Sequence, residues 1–307
     1  MRHILYRLGH AMLMVSCAIL STSPFVALRA QRPSPSIIVR RYRLGDSLHY
    51  VMSGSHEDRT GTVTYSARAD GRVAKDSLGR YVEEFQWSEL VRDGRQLTLP
   101  LDTNAVRQRL TLLPDAILPP VLGRVDPRLI GPFLDLYTFY ADLWLATKMS
   151  LIRPGDHAYV PRKVPNSWAD GRIVMLGEDA VDFDLMLMAV DSAAGRARLE
   201  VRHVPPAAPV VRLPATWMKT PVSDVPNNWV QVTRVSDSSF VAAVGRESFD
   251  VVLDVRLDDG AIEAATMDNP VDVVERVCGD VALTVCNAPS RYRIHRRITL
   301  RSRPDAR

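Results

Sequence analysis

The sequence predicts a mainly β protein: a curved antiparallel sheet or partial barrel, divided by a faint internal repeat into two related β units, with one long buried apolar helix. Three observations carry that expectation. Several segments alternate apolar and polar residues with period 2, the pattern of a half-buried strand. Asp-Gly dipeptides punctuate them, and a type I′ hairpin turn needs the positive φ that this pair tolerates. One stretch, Phe133 to Lys148 (FLDLYTFYADLWLATK), is instead helical in composition and apolar nearly all round.

The chain opens with Arg2 and Arg7 ahead of an apolar run from Ala11 to Leu20, then small residues, and no acid precedes Asp46. That is the pattern of a secretory signal peptide over 1–30, with cleavage after Ala27 or Ala30. The run is shorter than the ~20 residues a spanning helix needs, so an uncleaved anchor is the weaker alternative, and lipidation at Cys17 a weaker one still. Residues 31–36 form a polar, proline-rich linker. A single β-rich domain is expected over 37–307; the alternative is two subdomains, 37–120 and 151–307, joined by a helix over 127–148.

Within the domain, Val63, Tyr65 and Ala67 alternate with polar neighbours, and Tyr81, Phe85 and Trp87 share one face; Asp70-Gly71 and Asp93-Gly94 are the expected turns of an antiparallel meander. Leu113 to Pro132 is proline-rich and reads as extended or turn, with Asp126 and Pro127 as cap and first residue of the helix. In the helix, Asp135, Thr138 and Asp142 form a narrow polar stripe. Later, Phe249, Val251, Leu253, Val255 and Leu257 face one way before Asp259-Gly260 turns the chain. The last strand sets Tyr292, Ile294, Ile298 and Leu300 against Arg291, Arg293, His295, Arg297 and Arg301. The repeat is Val164-Pro165-Asn166-Ser167-Trp168 against Val225-Pro226-Asn227-Asn228-Trp229, each followed by a similar strand from Gly177 or Gly245.

Charge excludes one class of partner. The pI is 9.1, but removing Arg2, Arg7 and Arg29 from 39 basic residues leaves 36 against 35 acidic, a net of +1. A chain so balanced has no global field for polyanions, so nucleic acid is not expected as a partner. Export likewise argues against cytosolic cofactors, and none is expected. Cys278 and Cys286 remain as an even pair, expected as a disulfide rather than as metal ligands because the spacing is not that of a metal pair and only His295 is near.

No nucleophile elbow, zinc-protease, phosphate-loop, dinucleotide or calcium motif is present, so no catalytic residues and no metal are assigned. His49, His56 and His157 are candidates for acid/base work whose ordinary reading is solvated surface. Glu178, Asp179, Asp182 and Asp184 could hold a cation, but a solvated face, or a partner for the basic last strand, explains them better. That basic face could meet anionic lipid or cell-wall polymer; an ion-pair ladder is the cheaper account. Trp168 and Trp229 could stack on sugars, though loop-end core anchors are the commoner use of tryptophan. Tyr137, Tyr140 and Trp144 either are plain core or line an apolar cavity.

The segments YRLGDSLHYVMSG, TFYADLWLA, NSWADG, PNNWVQV and MDNPV together resemble families of exported bacterial domains of unknown function, which implies export and brings no catalytic residues. In architecture alone the chain is similar to the periplasmic half-barrel lipoprotein carriers. The resulting expectation is an exported, periplasmic or extracellular, non-enzymatic binding or structural protein. It would hold a lipid or other apolar or amphipathic small molecule between helix and sheet against Tyr137, Tyr140 and Trp144, with no membrane span in the mature chain. An envelope glycan- or protein-binding module using Trp168 and Trp229 is the alternative, and a secreted hydrolase the next.

Overall fold

The computed structural model describes residues 36–112, 125–169, 173–209 and 225–303, with the side chains of 162–181 outside the description. The expected signal peptide and most of the linker therefore lie outside the described residues. The strands are β1 (Ser47–Asp58), β2 (Gly61–Lys75), β3 (Tyr81–Arg92), β4 (Arg95–Leu97) and β5 (Arg107–Leu110) before helix α1 (Ile130–Thr147). After it come β6 (His157–Ala169), β7 (Ile173–Asp191), β8 (Arg196–Val204), β9 (Trp229–Ser236), β10 (Ser239–Glu247), β11 (Phe249–Arg256), β12 (Ile262–Cys278) and β13 (Ser290–Ser302).

All thirteen strands join one antiparallel sheet. The register shows how it stays open. Strands β8 and β9 both pair with β7, in the same direction, with Asp182 opposite Val204 and Gly177 opposite Trp229. They are two halves of one rank interrupted by residues 205–228. Strands β10 and β11 are likewise one rank along β12, with Val271 opposite Glu247 and Asp268 opposite Asp250. Between them the Ser248 N–H donates to the Pro270 carbonyl at 3.2 Å. The sheet therefore runs from β6 through β7, the two split ranks, β12, β13, β1 and β2 to β3, whose free side carries β4 and β5. The first copy of the sequence repeat lies within β6, where Trp168 sits opposite Met175, but of the second copy only Trp229 is in a strand, opposite Gly245.

Helix α1 covers one face, hereafter the inner face, and the twist of so many strands curves the sheet around it. Asp126 caps a 3₁₀ turn at Pro127–Leu129, its Oδ1 accepting the Arg128 N–H at 2.9 Å, and the α-helix continues from there. Asp126 and Pro127 thus open the helical segment as cap and first residue, as the sequence predicts, and Pro132 lies in its first turns rather than in the extended lead, because a missing N–H costs nothing there. Phe133, Leu136, Phe139, Leu143 and Ala146 pack with Ile38, Met52, Phe85, Leu187, Leu253 and Leu300 in one core.

Two turn expectations divide. Asp93-Gly94, with φ of 48° and 73°, makes the β3–β4 hairpin, and Asp259-Gly260 turns β11 into β12. Asp70-Gly71 does not turn: it lies inside β2, opposite Leu48 and His49. A Cβ on Gly71 would stand 2.4 Å from Phe85 Cδ1, so glycine is there to admit the phenyl ring.

The Cys278–Cys286 disulfide is formed, across a sequence separation of 8. Its loop turns back on Asp280, whose carboxylate accepts the Thr284 and Val285 N–H groups at 2.9 and 2.8 Å. Leu283 is thereby pressed onto a second, smaller core on the outer face, with Val230, Val232, Ala242, Val244 and Val274. No helix among the described residues is long and apolar enough to cross a membrane.

Candidate functional site

Period 2 along β3 places Glu83 on the same face as Phe85 and Trp87, and all three are buried under the helix. Trp87 stacks on Phe133 at 5.6 Å, and its indole N–H donates to Gln108 Oε1 at 3.0 Å. Gln108 Nε2 in turn donates to the Phe133 carbonyl at 2.8 Å. Tyr140 lies edge-on to Phe85 at 6.2 Å and its hydroxyl donates to Glu83 Oε2. The other Glu83 oxygen takes the Arg40 Nε–H at 2.8 Å. Arg40 also donates to the Asp259 carbonyl at 3.0 Å and lies 4.5 Å from the Tyr42 ring centre. Burial and Glu83 raise the Tyr42 hydroxyl to about 12. Burial opposes the charge on Arg40, but Glu83 and Tyr140 outweigh it and hold that guanidinium more firmly protonated than usual.

The polar stripe of the helix is divided, with Thr138 only half-buried and the two aspartates turned inward. Asp135 and Asp142, one heptad apart, are 2 % and 1 % exposed and face the sheet; Leu134 is exposed in their stead. Asp135 accepts the Tyr65 hydroxyl at 2.7 Å and pairs with the Arg296 guanidinium. Burial nonetheless pushes the Asp135 carboxyl above the usual carboxylate range, with Arg296 and Tyr65 acting against it. Asp142 Oδ1 lies 2.9 Å from His203 Nε2. That imidazole is clamped between Phe183 and Phe249, at 4.5 and 4.8 Å. Asp142 Oδ2 is buried with no hydrogen-bond partner among the described residues.

The candidate ligand residues therefore separate. Tyr140 is a closely packed, hydrogen-bonded part of the interior. Tyr137 and Trp144 sit half-buried at the margin of the helix against the same core, Trp144 with Lys148 Nζ at 5.5 Å from its ring centre. Trp229, half-buried, lies flat across the backbone of its cross-strand neighbour: a Cβ on Gly245 would be 2.0 Å from the indole. The Trp168 side chain is outside the described residues.

His49, His56 and His157 do not converge. His49 Nδ1 meets Asp70 at 2.7 Å, His56 lies 3.7 Å from Asp58, and His157 pairs with Asp184. Asp184 and Asp182 thus serve β6, through His157 and Tyr159, not the basic last strand, which is separated from β7 by intervening ranks. Among the described residues no group of three potential metal ligands converges. Of the residues the sequence reading passed over, Glu83 and Arg296 were findable, since period 2 puts them on apolar faces; Arg40 and His203 carry no local signal.

No protein-family model and no curated protein matches the chain. Among solved structures it is similar to a chain titled "Lipid-protein interactions in lipovitellin", with 6% identity and a TM-score of 0.43, over 86% of this chain and 26% of that one. The chain thus spans about a quarter of that neighbour's length. A second similarity, to MucB in complex with MucA(peri), has 15% identity and a TM-score of 0.15, over 83% of this chain and 89% of that one. Neither likeness is close enough to bear on the fold or on a ligand.

Proposed function

We propose that this is an exported, non-enzymatic binding protein that takes an apolar or amphipathic small molecule between α1 and the inner face of the sheet, with Tyr137, Tyr140 and Trp144 on the helix side. The observation that carries the reading is the kind of contact that seats the helix. Its two inward aspartates and Tyr140 meet Arg296, Tyr65, His203 and Glu83, and one Asp142 oxygen has no partner among the described residues. An apolar residue at each position would pack there at lower cost, since buried charge pairs recover little more than their desolvation. An orphaned buried oxygen costs about 1–3 kcal/mol more. Contacts of this kind define one docked pose while leaving the helix easier to lift than a wholly apolar one, and lifting it uncovers Phe85, Leu187 and Leu253 of the sheet.

The test is extraction of protein purified from its native host, mass spectrometry of any bound lipid, and titration with a fluorescent fatty acid. Trp144→Ala should weaken probe binding while the β signal in circular dichroism stays intact. If no lipid is carried, no probe binds and the substitution unfolds the chain, the helix is ordinary core and the reading is wrong.

A further inference from the structure

The outer face carries a second feature, independent of the helix. Along most of it, arginines meet acids across the strands: Arg202 lies 3.7 Å from Asp250, Arg198 3.8 Å from Asp254, Arg297 3.4 Å from Asp268 and Arg303 3.0 Å from Asp70. Of these pairs only Arg297 with Asp268 belongs to the basic last strand; Arg202 with Asp250 and Arg198 with Asp254 join β8 to β11. At one place on this face three arginines share a single acid.

Where β10, β12 and β13 run side by side, the register sets Arg246 opposite Asp272 and Asp272 opposite Arg293. Two residues along, Val244 stands opposite Val274 and Val274 opposite Arg291. Adjacent strands lie about 4.8 Å apart and next same-face neighbours about 7 Å, so three guanidiniums ring one carboxylate over an apolar floor. The ring is loose. Asp272 is 3.8 Å from Arg246 and 3.9 Å from Arg293, beyond hydrogen-bonding distance, and its side chain is 63% exposed. Arg291 has no acidic partner among the described residues. Arg246 is aimed by the backbone, its Nε donating to the Pro206 carbonyl at 2.9 Å. Val225 and Pro226 wall the other side, and the open groove has a volume of about 420 Å³, the size of a small-molecule site.

We propose that this groove binds a phosphate or carboxylate group attached to a short apolar body. The anion sits among Arg246, Arg291 and Arg293, whose planar donors suit both oxyanions, and the apolar part lies on Val244, Val274 and Pro226. The same chemistry is presented by a free alkyl phosphate or by the head group of an anionic lipid.

The oxidised full chain should be titrated calorimetrically with hexyl phosphate, hexanoate and neutral hexanol, and tested for flotation with vesicles of phosphatidylglycerol in phosphatidylcholine. Hexyl phosphate should bind and hexanol should not. Arg291→Gln with Arg293→Gln, both on an exposed strand face, should weaken binding about tenfold or more, as loss of charge-assisted hydrogen bonds does. Asp272→Asn, which removes the one repelling charge, should tighten it severalfold and needs no loss of function to be informative. Flotation that hexyl phosphate competes away and the double substitution abolishes assigns the anion to lipid; calorimetric binding without flotation assigns it to a soluble molecule. Failure of every anionic probe to bind, or affinities indifferent to all of these substitutions, overturns the site.

Discussion

Replacing Arg40 with methionine tests whether the polar contacts beneath the helix are as desolvated as they look. The substitution keeps the apolar stem and removes the cation. What remains is Glu83, whose side chain is 0% exposed and whose only charged partner among the described residues was an Arg40 side chain itself 4% exposed. Tyr140 still donates one hydrogen bond to it. Leaving one member of a buried pair uncompensated costs about 3–5 kcal/mol, with a smaller addition for the lost bonds from Arg40 to the Arg41 and Asp259 carbonyls. Glu83→Gln alone leaves the guanidinium with only the more distant Asp259 carboxylate, at 4.0 Å, and should cost less than the Arg40 substitution. In the double variant Arg40→Met with Glu83→Gln neither charge is left, so the loss should fall short of the sum of the singles by about 2 kcal/mol or more, within the range seen for residues in one network. Urea denaturation of all four proteins at neutral pH, read by circular dichroism, gives the cycle. A single-variant cost below about 1 kcal/mol, or strict additivity, would show that water reaches the pair and that the interior is wetter than described.

Three further expectations follow from the geometry. Because Asp135 holds its proton more readily folded than unfolded, its contribution to stability falls as pH rises from the ordinary value of 3.8 through its raised folded value, and is flat below 3.8. The stability of Asp135→Asn minus that of the natural chain should therefore climb with pH across that window in urea titrations; a difference independent of pH removes the claim. Reduction, or Cys278→Ser with Cys286→Ser, should cost about 2–3 kcal/mol, the loop-closure entropy of so short a loop, and intact mass with alkylation should find no free thiol at either position in protein isolated without reductant. Gly245→Ala should drive the Trp229 indole off β10, at a cost of about 1–3 kcal/mol for forced overpacking, with a change in tryptophan emission that vanishes in a Trp229→Phe background.

The sequence by itself determined the elements whose signal is local. Alternation in 249–257 and 290–302 marks strands because a pleated backbone sends neighbouring side chains to opposite faces. The uniform apolarity of 133–148 marks the one long helix, and two cysteines with no other partner mark the disulfide. The same periodicity also held, unread, the buried places of Glu83 and Arg296. Only the tertiary structure decided what lies opposite what. The inward turn of Asp135 and Asp142 depends on Arg296, Tyr65 and His203, which come from strands far away in sequence. Asp70-Gly71 became strand interior because Phe85 on β3 needed the space a side chain would fill. The outer groove exists because three strands meet in a register that brings Arg246, Arg291 and Arg293 around a single Asp272. Local pattern chooses which face a residue takes. The partner it finds there is set by pairing between distant strands, and the electrostatics of both candidate sites reside in those partners.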